Sequence, residues 1–295
     1  MANTRQIPVT DATALRITLA GRVSIRAGEQ EIREERLAGR QGRLLFAYLV
    51  IERGRPVPRD ELADVLWGAS PPATWEKGLT VLVSRLRSAL ADSALGGAAA
   101  LSNALGCYRL DLPSGTWVDI EAAATASREA AAALKDGHLD EALILGANAL
   151  EVLRRPFLAG DEGPWVEAKR RELADIADEA LACCVDANLA AGRPGEAARL
   201  AEEAIALQPF RDSGYRRLMQ AHVAAGNRAE ALRVYDRCRR LLSEELGAYP
   251  SPETESFFRE LLKEPEPDAT PALSVQVSPP PVMLSLIHIS EPTIG

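Results

Sequence analysis

A nine-residue stretch that returns after 34 positions constrains this chain more than any other feature. Leu189-Ala190-Ala191-Gly192-Arg193-Pro194-Gly195-Glu196-Ala197 recurs as Val223-Ala224-Ala225-Gly226-Asn227-Arg228-Ala229-Glu230-Ala231. A looser copy is Leu134-Lys135-Asp136-Gly137-His138-Leu139-Asp140-Glu141-Ala142. The offset is the period of tetratricopeptide (TPR) helix pairs. In each copy a glycine ends one helix, a short turn follows, and a small alanine lets the next helix pack closely. Such a unit cannot bury its apolar face alone, so the copies must stack into an all-α array. The pattern predicts helices over 117–135, 139–153, 163–191, 194–207, 211–225, 228–246 and 252–262. Pro209, Pro250 and Pro252 fall at their boundaries, where a helix tolerates them.

Residues 13–112 read differently. Leu15, Ile17 and Leu19 alternate with Arg16 and Thr18, the period of a half-buried strand, and Val23 and Ile25 resume the alternation after a turn at Gly21-Arg22. Three helices are predicted next, over about Arg40–Glu52, Asp60–Trp67 and Thr74–Leu90. In the third, Leu79, Leu82, Val83, Leu86 and Leu90 mark the buried face. Tyr108 to Leu112 reads as a strand returning from a turn near Gly106. Strands, three helices and a closing hairpin, in that order, make a winged helix-turn-helix, whose third helix enters the DNA major groove. The expected fold is therefore mainly α: an N-terminal winged helix with small β elements, then an all-α TPR-like domain at 117–263.

Charge follows the same division. The chain carries −8 overall, yet residues 15–112 hold fourteen Lys/Arg against eleven Asp/Glu, and residues from 113 onward hold nineteen against thirty. A mildly basic front and an acidic rear suit a DNA module joined to a protein-contact module. Opposite the buried face of the third helix stand Thr80, Ser84, Arg85, Arg87 and Ser88, with Lys77 one turn earlier. Arginine can bond guanine O6 and N7 together, and hydroxyls bond bases or phosphates. Arg109 is the one cation of the expected wing. Residue types alone leave open that Arg85 and Arg87 merely solvate a helix face.

Arg59-Asp60-Glu61-Leu62, Leu66-Trp67-Gly68, Pro71-Pro72, Val83-Ser84-Arg85-Leu86-Arg87 and Tyr108-Arg109-Leu110 together resemble the OmpR-type winged helix of the SARP group of bacterial activators. Thr116-Trp117-Val118-Asp119, Arg155-Pro156-Phe157-Leu158, Gly163-Pro164-Trp165-Val166, Pro209-Phe210-Arg211-Asp212 and the run from Ala229 to Gly247 resemble the bacterial transcriptional activator domain (BTAD) that follows it in that group. The resemblance implies that Ser84, Arg85, Arg87 and Ser88 contact DNA, with Arg85 the leading candidate for a base contact. It also implies double-stranded promoter DNA carrying direct repeats, RNA polymerase and a second copy of the chain (a homodimer) as partners. The chain departs from the group at Val81-Leu82, where Thr-His is common, and at the wing turn Ala104-Leu105-Gly106-Cys107, where the group often carries Arg and Pro-Pro-Gly.

Other classes fit less well. Nucleotide-binding glycine motifs, zinc-ligand spacings and nucleophile motifs are missing from the sequence, so no enzyme, cofactor or metal is expected. Cys107, Cys183, Cys184 and Cys238 lack CxxC spacing and read as reduced structural thiols. Neither a signal peptide nor a membrane-spanning run is present, which predicts a cytoplasmic protein. The competing reading is a TPR-like scaffold with weak or lost DNA binding, the front of a larger signalling protein. Residues 264–295 open with a Pro-rich linker. The segment Leu284 to Thr293 resembles the translated read-through of a sequencing adapter, which predicts a natural protein continuing past the linker; the alternative is a short disordered tail.

Overall fold

The computed structural model describes residues 15–91 and 100–263, so the linker and tail expected at 264–295 lie outside the described residues. The fold is mainly α, a winged helix-turn-helix with small β elements followed by a TPR-like array. β1 (Arg16–Thr18), β2 (Ser24–Ala27) and β3 (Gln30–Arg33) form an antiparallel meander with Ile17 opposite Ile25 and Ile25 opposite Ile32. The isoleucines face the core; the polar partners face water, as the alternation requires. After a single 3-10 turn at Glu34–Arg36 come α1 (Gly39–Ile51), β4 (Val57–Pro58), α2 (Arg59–Trp67) and α3 (Trp75–Ala91). β5 (Leu101–Ala104) and β6 (Cys107–Leu110) form the wing hairpin, and β6 also pairs with β4.

One expectation needs correction. Trp117 and Val118 do not begin a helix; they form β7, which lies parallel to β1 and extends the first sheet. An aromatic and a β-branched residue suit that pleated edge. Asp119 explains the change of direction. It opens α4 (Asp119–Lys135), and its buried carboxylate accepts N–H bonds from Leu19 (2.8 Å), Ala20 (3.0 Å) and Ile120 (2.8 Å). Burial pushes this carboxyl above the usual range while the three backbone donors oppose the shift.

The array continues as α5 (Leu139–Leu153), α6 (Pro164–Ala190), α7 (Pro194–Leu207), α8 (Asp212–Ala224), α9 (Arg228–Leu246) and α10 (Pro252–Lys263). The repeat is visible as repeated geometry. Gly192 and Gly226 take φ of 69° and 78°, and the next residues, Arg193 and Asn227, donate backbone bonds of 2.8 Å to Asn188 and His222. Both turns are the left-handed glycine stop of a helix. The equivalent alanines Ala142, Ala197 and Ala231 are fully buried, where a larger side chain would push the helix pairs apart.

The two parts share a core. Phe157, Leu158, Val166 and Leu173 of the array pack in the same cluster as Ile17, Leu19, Leu45 and Tyr48. Among the described residues, no helix is long and apolar enough to cross a membrane.

Candidate nucleic-acid interface

Helix α3 divides cleanly into two faces. Leu79, Leu82, Val83, Leu86 and Leu90 are buried, while Lys77, Thr80, Val81, Ser84, Arg85 and Ser88 are exposed. The adjacent pair Val81-Leu82 is split: Leu82 enters the core and Val81 stays on the outward face, 49% exposed. Lys77, Val81, Ser84, Arg85 and Ser88 follow helical spacing and share one stripe. Neither Lys77 nor Arg85 has an ion-pair partner among the described residues. The hydroxyls of Thr80 and Ser88 donate to carbonyls one turn back, Glu76 (2.8 Å) and Ser84 (3.1 Å), which leaves their oxygen lone pairs outward.

Arg87 and Arg109 stand differently. Arg87 is half-buried on the flank of the helix and its Nε donates to the Leu101 carbonyl (3.0 Å), tying α3 to the wing strand β5. Arg109 is exposed, but its Nε donates to Asp111 (2.7 Å), so the wing's cation is partly neutralised. The structure thus brings Lys77, Ser84, Arg85 and Ser88 together, with Thr80 beside them, and sets Arg87 and Arg109 apart.

A further cation, absent from the sequence-derived candidates, stands beside the wing. Arg59, at the start of α2, lies over the Tyr108 ring of the wing (5.7 Å to the centroid), and its buried Nε has no hydrogen-bond partner. Its backbone N–H donates to Gly106 at the wing turn (3.3 Å). The only sequence signal was its place at the head of the Arg59-Asp60-Glu61-Leu62 motif.

Helix α3 and its neighbours are closely packed. A β-carbon on Gly78 would lie 3.4 Å from the Trp67 ring, so α3 crosses α2 closely at that point. Between α1 and α2, the Tyr48 hydroxyl donates to Glu61, which Arg55 also binds. The Arg55 guanidinium holds the Glu61 carboxyl below its usual range, and burial pushes Tyr48 up to about 12. Farther back, Arg40 and Arg43 of α1 close on Asp161 of the helical part: Arg40 Nε at 2.8 Å, Arg43 Nε at 3.0 Å and Arg43 Nη2 at 2.6 Å. Trp165 packs edge-on against Tyr48 with centroids 4.9 Å apart.

Residues 33–98 match the family model "Transcriptional regulatory protein, C terminal", and residues 118–262 match "Bacterial transcriptional activator domain". The regulatory protein AfsR of Streptomyces coelicolor is 34% identical over 79% of this chain, and the chain spans 22% of AfsR's length. The transcriptional regulatory protein MoaR1 of Mycobacterium tuberculosis is 26% identical over 75% of this chain and 72% of its own. Among solved structures, EmbR of Mycobacterium tuberculosis, in complex with a low-affinity phosphopeptide, superimposes with a TM-score of 0.76 at 25% identity, over 84% of this chain and 65% of that one. With both family models matched in the same order as the fold places them, the chain belongs to the SARP-type transcriptional regulators, an OmpR-type winged helix followed by a bacterial transcriptional activator domain.

Proposed function

We propose that this chain is a sequence-specific DNA-binding transcriptional activator, with residues 13–112 as reader and 117–263 as the helical partner domain. The observation that carries the reading is Arg85, exposed at the centre of the outward stripe of α3 and without an ion-pair partner among the described residues. In the major groove it would bond a guanine edge, with Ser84 and Ser88 on bases or phosphates and Lys77 on the backbone. Val81, on the same stripe, has the chemistry to meet a thymine methyl. Arg59 is a further phosphate contact.

In the helical part several arginines are paired with carboxylates of the array. Arg154 pairs with Glu203, Arg217 with Asp186 and Arg237 with Glu202, so these cations tie together helices that lie two apart in the array. Its role is in protein contacts: a second copy of the chain on direct promoter repeats, and RNA polymerase. The chain acts in the cytoplasm, and no catalysis is expected within its residues. A scaffold reading would draw on the neutralised Arg109.

Selection of genomic fragments with the purified chain separates the two. The DNA reading expects one enriched repeated motif for the wild type and its loss in Arg85→Ala at unchanged thermal stability. No enrichment at low salt refutes it in favour of the scaffold.

A further inference from the structure

We propose that Leu105, at the tip of the wing, is an apolar minor-groove contact that replaces the charge this wing lacks. Ala104 and Cys107 are paired across the hairpin, so Leu105 and Gly106 alone make the turn, with φ of 51° and 77°. Two successive left-handed residues define a type I′ turn, which favours Asn, Asp or Gly at its first position. Leucine there brings Cβ against the following carbonyl and has no polar group to compensate. The same side chain is fully exposed, at 102%. Backbone and solvent therefore both disfavour this residue at this place, and its full exposure leaves its side chain no packing neighbour among the described residues. An outlier of this kind points to a contact made outside the chain.

The position identifies the contact. Arg87 ties β5 to the reading helix through the Leu101 carbonyl (3.0 Å), and the Arg59 N–H holds Gly106 at 3.3 Å. The tip is thus fixed relative to α3 and, granting the DNA reading above, comes down on the neighbouring groove. Asn103, Ala104, Leu105, Gly106 and Cys107 include no cation, and Arg109 is engaged with Asp111, so the tip offers phosphates no charge. What the groove offers an apolar side chain is the deoxyribose walls and the face of a partly unstacked base step. Soft pyrimidine–purine steps open most readily, so Leu105 would add specificity for deformability at a position where no base edge is read.

The test compares wild type with Leu105→Asn, full chain, on the fragment enriched by the wild type, over a series of salt concentrations. Asparagine suits the turn, so the melting temperature rises, by roughly 2–4 °C. Affinity falls about tenfold, and the slope of log K against log salt stays the same, because no phosphate contact is lost. Unchanged affinity with a raised melting temperature overturns the inference while leaving the DNA reading standing. A shallower salt slope overturns it as well, since the tip would then act through phosphates. A lowered melting temperature refutes the strain argument. Failure of the wild type to enrich any fragment removes the DNA reading itself, and Leu105's role with it.

Discussion

Replacing Asp161 with alanine should loosen the whole molecule, because this carboxylate joins its two parts. Its side chain is fully inaccessible, and it accepts from Arg43, itself 16% exposed, and from Arg40, 58% exposed. Breaking a buried ion pair costs about 3–5 kcal/mol, much of it from the charge left behind. Here Arg43 keeps Glu34 (3.3 Å) and the Ala159 carbonyl (2.9 Å), so the surviving charge is not abandoned. That places Asp161→Ala at the lower end, about 3 kcal/mol. Arg40→Ala removes a solvent-exposed partner and should cost less than about 1 kcal/mol. Urea unfolding followed by tryptophan fluorescence suits the comparison, since Trp165 packs against Tyr48 across the same junction. The reasoning fails if Asp161→Ala costs no more than Arg40→Ala, which would mean that the shared apolar core alone holds the parts together.

Two further consequences can be checked without DNA. Burial pushes Cys184 up to about 11 and Cys238 to about 12, and raises Cys183 as well, whereas Cys107 is partly accessible on the wing. The reactive thiolate is scarce below these values, so at neutral pH Ellman's reagent should titrate Cys107 alone in the native protein and all four thiols after denaturation. Gly146 of α5 faces α6 so closely that a β-carbon would sit 2.4 Å from Cys184 Sγ. Gly146→Ala should therefore cost about 1–3 kcal/mol in urea unfolding, and Cys184→Ala in the same chain should recover part of the loss; equal stability of Gly146→Ala and wild type would refute this account of the packing.

What could be read from the sequence is what local pattern determines. The helices of the array were legible because apolar spacing, glycine stops and prolines all mark the same limits, and the 34-residue offset reappears as the paired turns at Gly192 and Gly226. The buried face of α3 was legible for the same reason. Features that depend on distant partners were not. β7 is a strand because it lies beside β1, about a hundred residues earlier, and its two residues carry no period of their own. β3 has one buried isoleucine among polar neighbours, too little alternation to signal a strand. Asp119 and Asp161 look like ordinary helix-start and loop acids until Leu19, Ala20, Arg40 and Arg43 are folded against them. Spacing placed Arg87 on the outward face, but a carbonyl on the wing draws it to the flank. The Val81-Leu82 pair, uniformly apolar in sequence, belongs half to the core and half to the surface.

The central claim, that α3 reads sequence through Arg85, is tested most directly by the ratio of affinities for the enriched fragment and for a scrambled fragment, in wild type and in Arg85→Ala, at fixed salt. A bidentate arginine–guanine contact contributes about 1–3 kcal/mol of discrimination. The account predicts that the ratio drops by roughly 5- to 150-fold in Arg85→Ala. Binding to the scrambled fragment should weaken only slightly, because phosphate contacts from Lys77 and Arg59 persist. A ratio unchanged by the substitution, or near one in the wild type, would contradict it.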